Sequence, residues 1–150
     1  QWLADEVQGE FAAQETDAFV NGDGVNRPRG FLAYTKTPEA TRSASEIGYV
    51  ATGAAGAFAA ANPADTILDL IYAPKQAFRA NARFVMNRKT LSVVRKFKDA
   101  DGNYLWQPSV AAGAPSTLFG YPVTEAEDMP DIGAGAYSVA FGDFARGYLI

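Results

Sequence analysis

The sequence predicts an α+β domain in which helices pack on a mixed β-sheet. Three observations carry this: a helical stripe at the amino end, two helical segments flanking a short apolar strand between residues 62 and 98, and a carboxyl-terminal third of short β-type runs separated by turn residues. A length of 150 residues suits one domain. With 48% apolar and 20% charged residues the chain can fill one core.

Residues 1–20 place Leu3, Val7, Phe11 and Ala18 on one helical stripe, with Asp5, Glu6, Glu10 and Glu15 between them. "NGDGVNRPRG" then ends the helix with glycines and a proline. "FLAYT" reads as a short apolar strand. From Pro38 to Ala61 the composition drifts to alanine, glycine and serine, and only "IGYVATG" is strand-like. In "NPADTILDLIYAPKQAF", Asn62 is placed to cap a helix, Pro63 suits its first position and Asp65 nearly completes a capping box. Ile67, Leu68, Ile71 and Phe78 are expected to face inward, and Pro74 to break the helix after Ala73. "ARFVMN" reads as a strand. Asn87 then caps "RKTLSVVRKFK", with Leu91, Val94 and Phe97 inward. "NYLWQ", "LFGYPVTEA", "YSVAFGDF" and "GYLI" read as strands, and no internal repeat is present.

The chain has neither cysteine nor histidine. That removes disulfides, the commonest zinc ligands and any imidazole-based triad, and it fits an intracellular origin. No phosphate loop, dinucleotide loop or nucleophile elbow is present, so no enzyme and no cofactor is expected. "FKDADGNYLW" resembles a calcium loop only in part. Counted from Asp99, Asp101 and Asn103 stand at positions three and five, but Tyr104 replaces the glycine at six and Val110 the glutamate at twelve. A turn at Asp101-Gly102 is the expectation, with Trp106 in the core. Glu125, Glu127, Asp128 and Asp131 read either as a hard-cation site or as a solvated loop, and the solvated loop is preferred. The longest uncharged stretches are rich in glycine, proline, alanine and amides, which makes poor membrane spans and predicts a soluble protein. Gln1 and the final "ARGYLI" suggest a piece of a longer chain.

Charge is sorted along the sequence. Between Leu70 and Lys98 stand eight bases and no acid: Lys75, Arg79, Arg83, Arg88, Lys89, Arg95, Lys96 and Lys98. The remainder has five bases and seventeen acids. A net charge of −4 argues against free nucleic-acid binding. Two readings stand level: the bases face water, or Arg79, Arg83, Arg95, Lys96 and Lys98 meet Glu125, Glu127 and Asp128 of a neighbouring copy.

Several stretches, taken in order, resemble one family. "FVNGDGVNRPRGFLAY", "NARFVMNRKTLSVVRKFKDADGNYLWQP", "GAPSTLFGYPV", "MPD" and "VAFGDFARGYLI" are similar to successive parts of the major capsid proteins of tailed phages, the Hong Kong 97-type coat proteins. The resemblance implies the end of a spine helix and part of a peripheral domain over 1–61. Over 62–150 it implies an axial domain and the start of the return to the peripheral domain. It also implies self-assembly into hexamers and pentamers of a shell enclosing DNA, built in the bacterial host with a scaffold or maturation protease as possible partners. The lysine and asparagine that crosslink subunits in some relatives would lie outside residues 1–150, so neither Lys36 nor Asn87 takes that role. A nanocompartment shell protein of the same fold is the nearest alternative, and a small cation- or ligand-binding α+β domain is the alternative of another class.

Overall fold

The computed structural model describes residues 2–43, 46–98, 101–102 and 117–147. Helix α1 spans Trp2–Asn21. Its apolar stripe is covered only at its end: Leu3 and Phe11 are 66% and 65% exposed, whereas Ala18 and the neighbouring Val20, in the last turns, are buried. The spacing produced the helix, but only its end touches the rest of the described chain. "NGDGVNRPRG" closes on itself after the helix. Asp23 Oδ1 accepts the Val25 amide at 3.0 Å and Arg27 Nε at 3.1 Å, and the Gly30 amide donates to the Gly22 carbonyl at 2.9 Å. Gly30 lies so close to the helix end that a Cβ there would stand 2.3 Å from the Val20 carbonyl oxygen.

"FLAYT" is not a strand. Phe31–Ala33 form a single 3-10 turn, with the Ala33 amide donating to Gly30 at 3.1 Å. A strand would send adjacent side chains to opposite faces, whereas Phe31 and Leu32 both pack on the cluster of Val20, Val85 and Met129. Strands β1 (Lys36–Pro38) and β2 (Ile47–Tyr49) pair in parallel, and β3 (Gly53–Ala54) and β4 (Ala57–Phe58) make a small hairpin within the alanine-glycine stretch.

Helix α2 covers Ala64–Tyr72 and stops at Ala73, as Pro74 requires; α3 (Gln76–Arg79) restarts beyond it. The expected Asn62 cap is absent. Asn62 is in the left-handed region (φ 51°), makes no side-chain cap bond, and contributes only its carbonyl to the Asp65 amide. Ile67 and Ile71 are buried, but Leu68 and Phe78 are 37% and 43% exposed. Leu68 is a single ~100° step round the helix from Ile67, and Phe78 lies past the break. Strand β5 (Arg83–Met86) leads through Asn87 into α4 (Arg88–Arg95), whose Leu91 and Val94 are buried and whose following Phe97 packs against the same cluster.

"LFGYPVTEA" is two strands rather than one: β6 (Thr117–Leu118) and β7 (Tyr121–Glu125) are antiparallel. Phe119 and Gly120 between them have φ of 51° and 86°, the double left-handed step of a tight hairpin turn. Strand β8 (Val139–Gly142) follows, then α5 (Phe144–Gly147), which takes the first residue of the expected "GYLI" strand. The rest of "GYLI", the "NYLWQ" strand, Tyr104 and Trp106 lie outside the described residues. Gly102 has φ 86°, consistent with the turn expected at Asp101-Gly102.

The four-stranded sheet has the order β6-β7-β5-β8, with β5 parallel to β7 and antiparallel to β8. Phe84 stands opposite Val123 on one side and Phe141 on the other. Side chains of β5 alternate. Phe84 and Met86 enter a core with Ile67, Ile71, Leu91, Val94 and Leu118, while Val85 enters a second core with Val20 and Met129. The sheet therefore has α2 and α4 on one face and the end of α1 with α5 on the other. A central strand covered on both faces is apolar throughout, which is why "FVM" reads as an unbroken run. Among the described residues no helix is long and apolar enough to cross a membrane.

Candidate subunit-contact surface

Asn87 organises the charged half of the molecule. It follows β5 and is 3% exposed. Its Oδ1 accepts the Thr90 amide at 2.8 Å, which caps α4 as expected. Its Nδ2 donates to the Met129 carbonyl at 2.9 Å and to Asp131 Oδ1 at 2.7 Å. One amide thus ties "VMN" to "MPD" and uses all its polar atoms in a buried place, the condition under which burying it is tolerated. Sequence reading found the cap; nothing in the spacing of "MPD" signalled the second attachment.

That attachment brings bases and acids of one chain together. Arg88 Nε is 3.5 Å from Glu127, and Lys89 Nζ is 3.1 Å from Asp131. Both pairs are well exposed, so each is worth only about 0–1 kcal/mol. The hydrogen bond from Lys89, then that from Asn87, holds the Asp131 carboxyl below its usual range. Asp128 is pushed the other way, by burial first and then by Asp17 and Glu127. Its backbone carbonyl accepts Asn21 Nδ2 at 3.0 Å, so the acidic loop is fastened to the end of α1. Glu125 ends β7 and is exposed. Among the described residues no group of three or more acids could hold a metal ion.

The basic residues are spread rather than convergent. Arg79 lies on α3 with its guanidinium 5.0 Å from the Tyr72 ring and a buried Nε. Arg83 on β5 donates to Thr124 Oγ1 at 3.2 Å. Arg95 ends α4, and Lys96 and Lys98 follow it, all three exposed. So the structure brings Glu127 to Arg88, and Asp131 to Lys89, within one chain, while Arg83, Arg95, Lys96 and Lys98 stand exposed and Arg79 is partly covered.

A cleft of about 450 Å³ lies between β2, α2, β8 and α5. It is walled by Phe31, Tyr49, Ile67, Leu70 and Phe141, with Lys36, Asp143 and Arg146 among its lining. Lys36 donates to the Leu32 carbonyl and stands 4.8 Å from the Tyr137 ring, so its charge is held at the wall. The cleft is lined mostly by apolar side chains.

The described residues form a mixed sheet between helical layers, with charge sorted over the surface. The chain belongs to the phage capsid family, whose model matches residues 1–150. It is 57% identical to a chain in the capsid of an empty GTA (gene transfer agent) particle computed with C5 symmetry, with a TM-score of 0.89. A chain in the capsid of a native GTA particle, likewise computed with C5 symmetry, also matches at 57% identity, with a TM-score of 0.88. Each match covers 95% of this chain but 49% and 53% of the capsid chains, so the chain spans about half their length. No curated protein matches it. The α+β layering expected from sequence, and the coat-protein family to which it was attached, both hold.

Proposed function

We propose that this chain is part of the major coat subunit of a tailed-phage-like particle, a structural protein that assembles in many copies into a closed shell around DNA. The observation that carries this is the match at 57% identity over 95% of the chain to the capsid of a GTA particle with five-fold symmetry. In this reading residues 1–61 are the end of the spine helix and part of the peripheral domain, and residues 62–150 are the axial domain and the start of the return. Packaged DNA is held without sequence-specific contacts, which suits a net charge of −4. A scaffold or maturation protease assists assembly in the bacterial host. Subunits meet through opposite charge: Arg79, Arg83, Arg95, Lys96 and Lys98 on one copy, Glu125, Glu127 and Asp128 on the next. The intrachain pairs already made by Glu127 and Asp131 leave Glu125 and Asp128 as the acids of that loop without an ion pair among the described residues.

The test is negative-stain electron microscopy of the full-length gene product, expressed alone and with its genomic neighbours. Uniform closed shells are expected. A monomer under all of these conditions overturns the reading.

A further inference from the structure

We infer that the outer face of α2 on one copy docks against the outer face of α4 on the next, head to tail around a ring. This rests on the shell reading above and assigns it a specific contact, in which Lys96 meets Asp65 and Asp69 of the neighbouring copy rather than the 125–128 loop. On α2, the buried positions are Ile67 and Ile71, and the opposite side carries Asp65, Leu68, Asp69 and Tyr72 at i, i+3, i+4 and i+7. Leu68 and Tyr72 are 37% and 70% exposed, and neither aspartate has an ion pair among the described residues. On α4, Leu91 and Val94 are buried, and the opposite side carries Lys89, Val93 and Lys96 at i, i+4 and i+7. Val93 is 38% exposed. Lys96 has no ion pair among the described residues, and Lys89 reaches only the exposed Asp131.

Both stripes have an exposed apolar centre. One is flanked by two carboxylates, the other by two ammonium groups. An apolar centre with a charged rim is how protein contacts are commonly built, and complementary rims fix the register. The charges also decide the symmetry. Two α2 stripes brought together would oppose four carboxylates, and two α4 stripes would oppose four ammonium groups. Each stripe therefore fits the other and not itself, and a contact between unlike patches generates a ring or an open helix.

Their places in the fold allow it. Thr66, Ile67 and Leu70 of α2 line the same cleft as Val139–Gly142, so α2 lies toward the β8 edge of the sheet. Helix α4 begins the crossover from β5 to its parallel neighbour β7, and its Leu91 and Val94 share one core with Ile67 and Ile71 of α2. The two helices thus cover one face of the sheet, and each stripe lies on its own helix away from the shared core.

The test uses two variants of the full-length chain, Asp65→Lys/Asp69→Lys and Lys89→Glu/Lys96→Glu, with all four positions on exposed helix faces. Circular dichroism checks that each is folded, and sedimentation at low salt measures assembly. Each variant alone is expected to lose assembled material by on the order of tenfold or more, because like charges face each other at every contact. An equimolar mixture is expected to recover six-membered rings, in which alternating copies restore opposite charges at every contact, but not five-membered ones, where one like-charged contact must remain. Repeating the mixture with Lys96→Glu alone leaves the Lys89–Asp131 pair intact. Either variant assembling like the wild type, or a mixture that assembles no better than its parts, overturns the α2–α4 contact. A wild-type chain that never assembles overturns the shell reading instead.

Discussion

Replacing Asn87 with alanine tests how the two halves of the sheet region are joined. The change leaves the Thr90 amide at the start of α4 without its acceptor, a loss of about 1 kcal/mol for a helix cap. It also strands the carbonyl of Met129, a residue 3% exposed, at a cost of about 1–3 kcal/mol for an unsatisfied buried group. Asp131 keeps Lys89 and is well exposed, so the loss there is small. Together these predict a destabilisation of about 2–4 kcal/mol. Asn87→Asp adds a diagnostic. It keeps an acceptor for Thr90 but puts a carboxylate 2.7 Å from Asp131, where a donor had been. At neutral pH it is therefore expected to unfold more readily than the alanine variant, and to recover as acid protonates one of the two carboxyls. Urea unfolding followed by circular dichroism measures both, with an unchanged slope marking a true stability change. An alanine variant within about 0.5 kcal/mol of wild type, the size of an ordinary surface change, refutes the fastening role. Equal stability of the two variants at pH 7 refutes the closeness of Asp131.

Gly30→Ala forces a Cβ to 2.3 Å from the Val20 carbonyl oxygen and 2.5 Å from the Asn21 amide nitrogen, so the turn must move off the end of α1. A loss of about 1–3 kcal/mol in thermal or urea unfolding is expected, as for other overpacked sites. Asp128→Asn is expected to stabilise the chain at pH 7. The folded-state pKa of Asp128 is raised by burial and by Asp17 and Glu127, so this residue's contribution is favourable below the usual carboxylate range and is lost as pH rises through the raised value. The advantage of the asparagine should close as pH falls, and an advantage independent of pH would point to packing instead.

Much of the architecture was legible because local chemistry and tertiary structure agree. Pro74 cannot continue α2, Asn87 is an effective cap, and "RFVM" is apolar enough for a strand covered on both faces. The failures share a cause. A helical stripe states which side is apolar, not what covers it, so Leu3 and Phe11 share an apolar side and yet stand exposed. "FLAYT" has strand composition, but both Phe31 and Leu32 are needed on one core, which only a turn allows. Phe119 conceals a hairpin because a bulky residue in the left-handed region is unusual. For the contact surface, the segregation of charge was visible in the linear sequence. That part of the acidic loop folds back on Arg88 and Lys89 was not, since it depends on Asn87 holding residues 129 and 131. The pattern Asp65, Leu68, Asp69, Tyr72 was equally visible and was obscured by assigning Leu68 to the core.

The order of strands in the sheet has a consequence for synthesis. The central strand β5 is made first, and its neighbours come later: Val123 opposite Phe84 on one side, then Phe141 on the other. At about 5–20 residues per second Phe84 and Met86 emerge from the ribosome seconds before the strands that cover them. Closing those long loops is slow relative to local helix formation, so α2 and α4 fold first and shield one face of β5 while its edges wait. The nascent chain thus passes through an interval in which its most apolar strand is open at both edges, and in crowded translation that interval is where edge-to-edge association competes with folding.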